Sequence, residues 1–191
     1  MLQRGNEKSG YNQLVSRSQY KIYDNASPYF LTCTIVRWIP LFNDPTLVEI
    51  LLDSLRFLQQ HNRLTIYAYV VMDHHLHLVA ASENLSRDLM SFKSFTARKI
   101  LDSIKDKGEN ELLAKLADAK ARHKKDRTYQ VWQEGSHPQA ITNETMMHQK
   151  VTYIHQNPVE RGFVDEPEAW RYSSAADYSG LSGLLEVRLD W

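Results

Sequence analysis

The run LTIYAYVVM (64–72), the pair DH (73–74) and the run HLHLVAA (75–81) read as two strands joined by a two-residue turn. β-Branched and aromatic residues dominate both runs, as strands favour. So short a connection makes the pair an antiparallel hairpin. Side chains alternate along a strand, so His75 and His77 project from one face and Leu76 from the other. Upstream, YFLTCTIV (29–36) has the same strand character. Between them, Asn43-Asp44-Pro45 marks a helix start. Leu47, Ile50, Leu51, Ser54, Leu55 and Leu58 then recur at spacings of three and four, predicting a helix to about Gln60.

Downstream, 85–104 is predicted helical, with Leu89, Phe92, Phe95, Ile100 and Ile104 on one face. Gly108 breaks that helix, and a second helical piece is predicted from Glu109 to about His123. Residues 129–141 carry strand-like pieces around a turn at Glu134-Gly135-Ser136. Asn143 caps a helix from Glu144 to about Gln156, which Pro158 is expected to stop. The order β-α-β-β-α-β-α is a split βαβ pattern. It predicts an α+β, ferredoxin-like (RRM-like) antiparallel sheet with helices on one face and the other face open. Additional helices and a C-terminal extension complete the expectation. Residues 1–28 read as a polar arm, 29–178 as the domain and 179–191 as a tail.

Composition narrows the classes. With 191 residues, 42% hydrophobic and 24% charged, the chain is an ordinary globular one, not a disordered one. The single cysteine, Cys33, excludes an internal disulfide or a zinc knuckle, and a cytoplasmic setting is expected. No apolar run approaches the ~20 residues of a membrane helix, so no membrane partner is expected. Positive and negative charges balance at 23 each but are segregated. Residues 84–130 hold 12 Lys/Arg against 7 Asp/Glu, whereas 131–191 hold 4 against 9. Read alone, the basic block is either a solvated surface or a polyanion contact.

Two places carry chemistry. Adjacent imidazoles such as His75 and His77 form a ready pair of metal ligands, or else simply pack across strands. Tyr153 and Asn157, four apart, share a helix face, whereas His155 points elsewhere.

The segment VVMDHHLHLV (70–79) resembles the V-M-P-N-H-hydrophobic-H-L strand of HUH single-strand DNA endonucleases. The segment YIHQNPVERGFV (153–164) resembles the helix of REP-associated tyrosine transposases, relatives of the insertion-sequence tyrosine transposases. Both occur in the family's order, and FKSFT (92–96) and VWQEG (131–135) also look like its segments. The resemblance spans about 29–178. It departs at Asp73-His74, where Pro-Asn is usual.

The resemblance implies metal-dependent transesterification on single-stranded DNA, at or near REP-type hairpins, through a covalent 5′-phosphotyrosine. It implies Tyr153 as nucleophile and His75, His77 and Asn157 as ligands of Mg2+ or Mn2+. The chemistry is consistent. A cation offsets charge developing on phosphoryl oxygens, and a phenol of pKa ~10 needs positive surroundings to ionise. Tyr129, Tyr172 and Tyr178 are alternative nucleophiles. Lys93, Arg98, Lys99, Lys120, Arg122, Lys124, Lys125 and Arg127 become candidate DNA contacts. Trp132 is a candidate for base stacking, whereas periodicity puts Phe92 and Phe95 in the core. A monomer is expected, with a homodimer as the alternative. Two other readings compete: a non-catalytic RRM-like binding module, and a metal-dependent hydrolase without a covalent intermediate.

Overall fold

The computed structural model describes residues 27–121 and 126–191. All but the last two residues of the expected arm, and the candidate contacts Arg122, Lys124 and Lys125, lie outside the described residues. The elements are β1 (Tyr29–Thr34), α1 (Pro45–Gln60), β2 (Thr65–Val71), β3 (His75–Ala81), α2 (Leu85–Asp106), α3 (Asn110–Asp118), β4 (Gln139–Ala140), α4 (Glu144–Glu160) and α5 (Ala175–Tyr178). The sheet order is β2-β3-β1-β4 with every pair antiparallel, the order a split βαβ requires.

One sheet face carries Leu31, Cys33, Ile66, Tyr69, Val71, Leu76 and Leu78. It packs against Leu47, Leu51 and Leu55 of α1 and Leu89, Phe92 and Ile100 of α2. The N-terminus of α1 is capped by Asp44, whose carboxylate accepts from the Thr46 amide at 2.9 Å. The opposite face, expected to be open, is covered. Phe30, Ala68, Val70, Met72 and Val79 pack against Met147, Val151 and Ile154 of α4. Alternation makes this face as apolar as the first. Each large side chain buried here contributes roughly 1.5–3 kcal/mol that exposure would forfeit.

Helix α4 also corrects the expected stop at Pro158. Asn143 caps its start, accepting from the Met146 amide at 2.9 Å. The helix then runs through Pro158 to Glu160. Pro158 removes only the hydrogen bond to the Ile154 carbonyl, one turn before the end. Termination falls to Gly162, at φ +70°. The Phe163 amide donates to the Pro158 carbonyl and the Gly162 amide to the Val159 carbonyl, at 2.9 Å each. That pair of bonds is a Schellman cap. Asn157 is therefore fully helical, one turn from Tyr153.

The strand-like pieces at 129–141 shrink to β4 and a single bridge between Ile35 and Trp132. Pro138 and the positive φ of Gly135 and His137 interrupt extended pairing here. Phe95, expected in the core, is 45% exposed. Beyond α4 the chain lines the free edge of β2. The Val71 amide donates to Tyr172, the Ser174 amide to Tyr69 and the Arg188 amide to Ile66. Leu185 is buried against the first face.

His155 is locked behind α4. Its Nε2 lies 2.9 Å from Ser174 Oγ, which also accepts from the Tyr69 amide and donates to the Tyr69 carbonyl. Burial pushes its pKa down to about 4. The unfolded chain, titrating near ~6.5, then binds the proton first. Stability is full above that pH and is lost as pH falls toward 4, by on the order of 3 kcal/mol. Urea midpoints are expected to fall between pH 7 and 4.5, and less steeply for His155→Gln. An unchanged slope in that variant would remove His155 as a source of acid sensitivity.

Candidate active site

The covered face is polar at one end. Thr34 stands opposite His75 and Thr32 opposite His77 in the β1–β3 register. Both histidines are 5% exposed, with ring centroids 4.5 Å apart. Phe30 stacks on His77 at 5.3 Å. Thr32 Oγ1 lies 2.9 Å from His77 Nδ1, which leaves Nε2 as the nitrogen without that partner. In the hairpin turn, His74 Nδ1 lies 2.6 Å from Asp73 Oδ1. The donor atoms of Asp73, His74 and His75 lie within 4.8 Å of one another, a second possible metal-binding group that shares His75.

Helix α4 crosses this end of the sheet. Tyr153, 42% exposed, sets its ring edge-on to His77 at 5.2 Å and to Phe30 at 5.8 Å. Asn157 is buried, and among the described residues its Oδ1 has no hydrogen-bond partner. Leaving such an oxygen unpaired costs roughly 1–3 kcal/mol. Two neutral imidazoles and an amide oxygen with free lone pairs, the latter one helical turn from the Tyr153 that meets His77, are a donor set whose chemistry fits a divalent cation.

Electrostatics favour neutral imidazoles. Burial pushes the His75 pKa down to about 3, with His77, His74 and Arg161 adding repulsion. Burial likewise brings His77 to about 4, with Arg161 and then Lys150 the leading charges. Neutral rings keep the lone pairs that metal ligation uses.

Of the candidate DNA contacts, Lys93, Arg98 and Arg127 are brought together along one groove between α2 and residues 126–138, with part of Trp132 in its wall. Lys93 is half-buried, donating from Nζ to the carbonyls of Gln133 and Gly135 at 2.7 Å each. Arg98 and Lys99 are exposed on α2, with Lys99 Nζ 5.9 Å from the Phe95 ring. Lys120 is half-buried just beyond α3, and Arg127 pairs with Asp126 at 2.7 Å. Trp132, read as a candidate for base stacking, is instead a core side chain. It is 6% exposed, donates from Nε1 to Thr96 Oγ1, and packs beside Phe42 and Phe92.

Sequence reasoning missed Thr32, Phe30, Lys150 and Arg161. Thr32 and Phe30 reach the site only through strand register, which local pattern does not encode. Lys150 and Arg161 were legible, because they continue the Tyr153–Asn157 spacing along α4.

No family model and no curated protein matches the chain. Among solved structures, the fold is similar to that of a REP-associated tyrosine transposase bound to a REP hairpin. The TM-score is 0.61 at 19% identity, covering 91% of this chain and 94% of that one. The chain therefore has a transposase-like α+β fold. Among the described residues, no helix is long and apolar enough to cross a membrane.

Proposed function

We propose that this protein is a single-strand DNA endonuclease and strand transferase of the REP-associated tyrosine transposase type, using Mg2+ or Mn2+. The reading rests on one meeting of elements: the Tyr153 ring lies 5.2 Å from His77, on the helix that also carries the unpartnered Asn157 oxygen. The likeness to a transposase bound to a REP hairpin supports DNA at or near such hairpins as substrate.

In this reading His75, His77 and Asn157 hold the cation, which offsets negative charge on the phosphoryl oxygens. The Tyr153 oxygen attacks the phosphorus, and the bond from phosphorus to the 3′ oxygen breaks. The 3′ oxygen leaves as a hydroxyl, taking up the equivalent of the proton the phenol gave. The 5′ phosphate remains joined to Tyr153. One phosphate ester replaces another, so rejoining needs no nucleotide triphosphate.

The test is a denaturing gel of the protein incubated with Mn2+ and single-stranded hairpin DNA labelled 3′ of the cleavage point. A labelled protein band is expected. Cleaved DNA with no protein-linked label would favour a simple hydrolase, and retained DNA without cleavage a binding module.

A further inference from the structure

We propose that Lys150 and Arg161 form a phosphate clamp that holds the DNA backbone on both sides of Tyr153. The proposal rests on the reading that this site handles single-stranded DNA. Positions 150, 153, 157 and 161 follow one another at spacings of three, four and four, so they form one stripe along α4. At ~1.5 Å per residue, Lys150 lies about 4.5 Å before Tyr153 and Arg161 about 12 Å after it.

Lys150 Nζ stands 4.6 Å from the centre of the Phe30 ring, and that ring touches both His77 and Tyr153. Arg161 is exposed at the end of the helix, and side chains there lean back toward the preceding turn, the one carrying Asn157. Its charge is felt at both site histidines, and that of Lys150 at His77.

Among the described residues, neither cation pairs with a carboxylate. Arg98, Lys99 and Arg171 share this, so what sets Lys150 and Arg161 apart is their place on the Tyr153 stripe beside the site histidines. Residues 131–191 are acidic overall and hold only 4 basic residues. Two of them flank the exposed phenol. A favourable helix dipole accounts for a cation at Arg161 but not for Lys150 in the middle of the helix. Phosphodiester anions passing over Tyr153 would give both a partner.

The test measures binding alone, with a fluorescein-labelled oligo-dT strand in chelator, by anisotropy across a salt series. Lys150→Gln/Arg161→Gln is expected to lose at least about tenfold in affinity and to flatten the log–log salt slope by about 1.4. Lys150→Arg/Arg161→Lys is expected to restore both. Arg56→Gln/Arg188→Gln removes the same charge elsewhere and is expected to bind as wild type. Wild-type affinity and slope in the clamp variant would overturn the proposal, as would an equal loss in the control. Covalent chemistry is read separately on the gel. An absent adduct with a weakened clamp variant sinks catalysis and keeps the clamp; an adduct with unaltered binding does the reverse.

Discussion

Tyr153→Phe is expected to abolish the protein–DNA adduct while leaving DNA binding unchanged. The substitution removes one oxygen. The ring keeps its contacts with His77 and Phe30, and the position is 42% exposed, so stability should move by less than about 0.5 kcal/mol. Without the oxygen no phosphotyrosine can form. Loss of a nucleophile costs on the order of 10³-fold or more where no other group can replace it.

The competing tyrosines are poorly placed. Tyr178 is half-buried, donates to the Tyr67 carbonyl at 2.9 Å and accepts from Trp191 Nε1, and burial raises its pKa. Tyr172 meets Trp170 edge-on along the β2 edge, and Tyr129 lies against the core under Lys105. Equal anisotropy isotherms for wild type and variant, with label on the wild-type protein alone, are the expected result. Peptide mapping of the trapped adduct should return the α4 peptide. Label on any other tyrosine, or a surviving adduct in the variant, would displace Tyr153 from the nucleophile's role.

The hairpin at 64–81 was legible because its periodicity, its turn length and its two histidines all agree. The same holds for α1, whose apolar stripe and Asp44 cap act locally, and for the apolar stripe of α2 apart from Phe95. The covering of the second sheet face was not. Nothing local to 144–160 says which face the helix will meet, since its exposed stripe carries Tyr153 and charged groups while its buried stripe is short. Pro158 misled for a related reason. A proline one turn from a helix end forfeits a single bond, and the glycine four residues on supplies the cap. Trp132 illustrates the limit for aromatic side chains. Beside a basic block it reads as a stacking platform, but a partner for its indole N–H exists inside, on Thr96. That choice is tertiary. The cost is lower for a paired N–H in the core than for a large ring left in water.

His75→Ala and His77→Ala are each expected to reduce cleavage by at least about a hundredfold, and chelation should do the same to the wild type. Substitutions outside the shared His75 also decide between the two donor sets. If the cation sits with His77 and Asn157, His77→Ala loses activity while Asp73→Asn and His74→Ala keep most of it. If it sits in the hairpin turn, Asp73→Asn is the damaging change and His77→Ala is tolerated. Asn157→Ala is expected to fall between, since water can replace one of three donors. Each histidine is 5% exposed, so alanine also leaves a void, and activity alone could reflect lost packing. Thermal unfolding with and without Mn2+ separates the two effects. A cation at a hundred times its dissociation constant stabilises the native state by ~2.7 kcal/mol. That increment should be present in wild type and in Tyr153→Phe. It should vanish in His77→Ala even where the variant remains folded. A full Mn2+ increment in the His77 variant would move the cation to the turn.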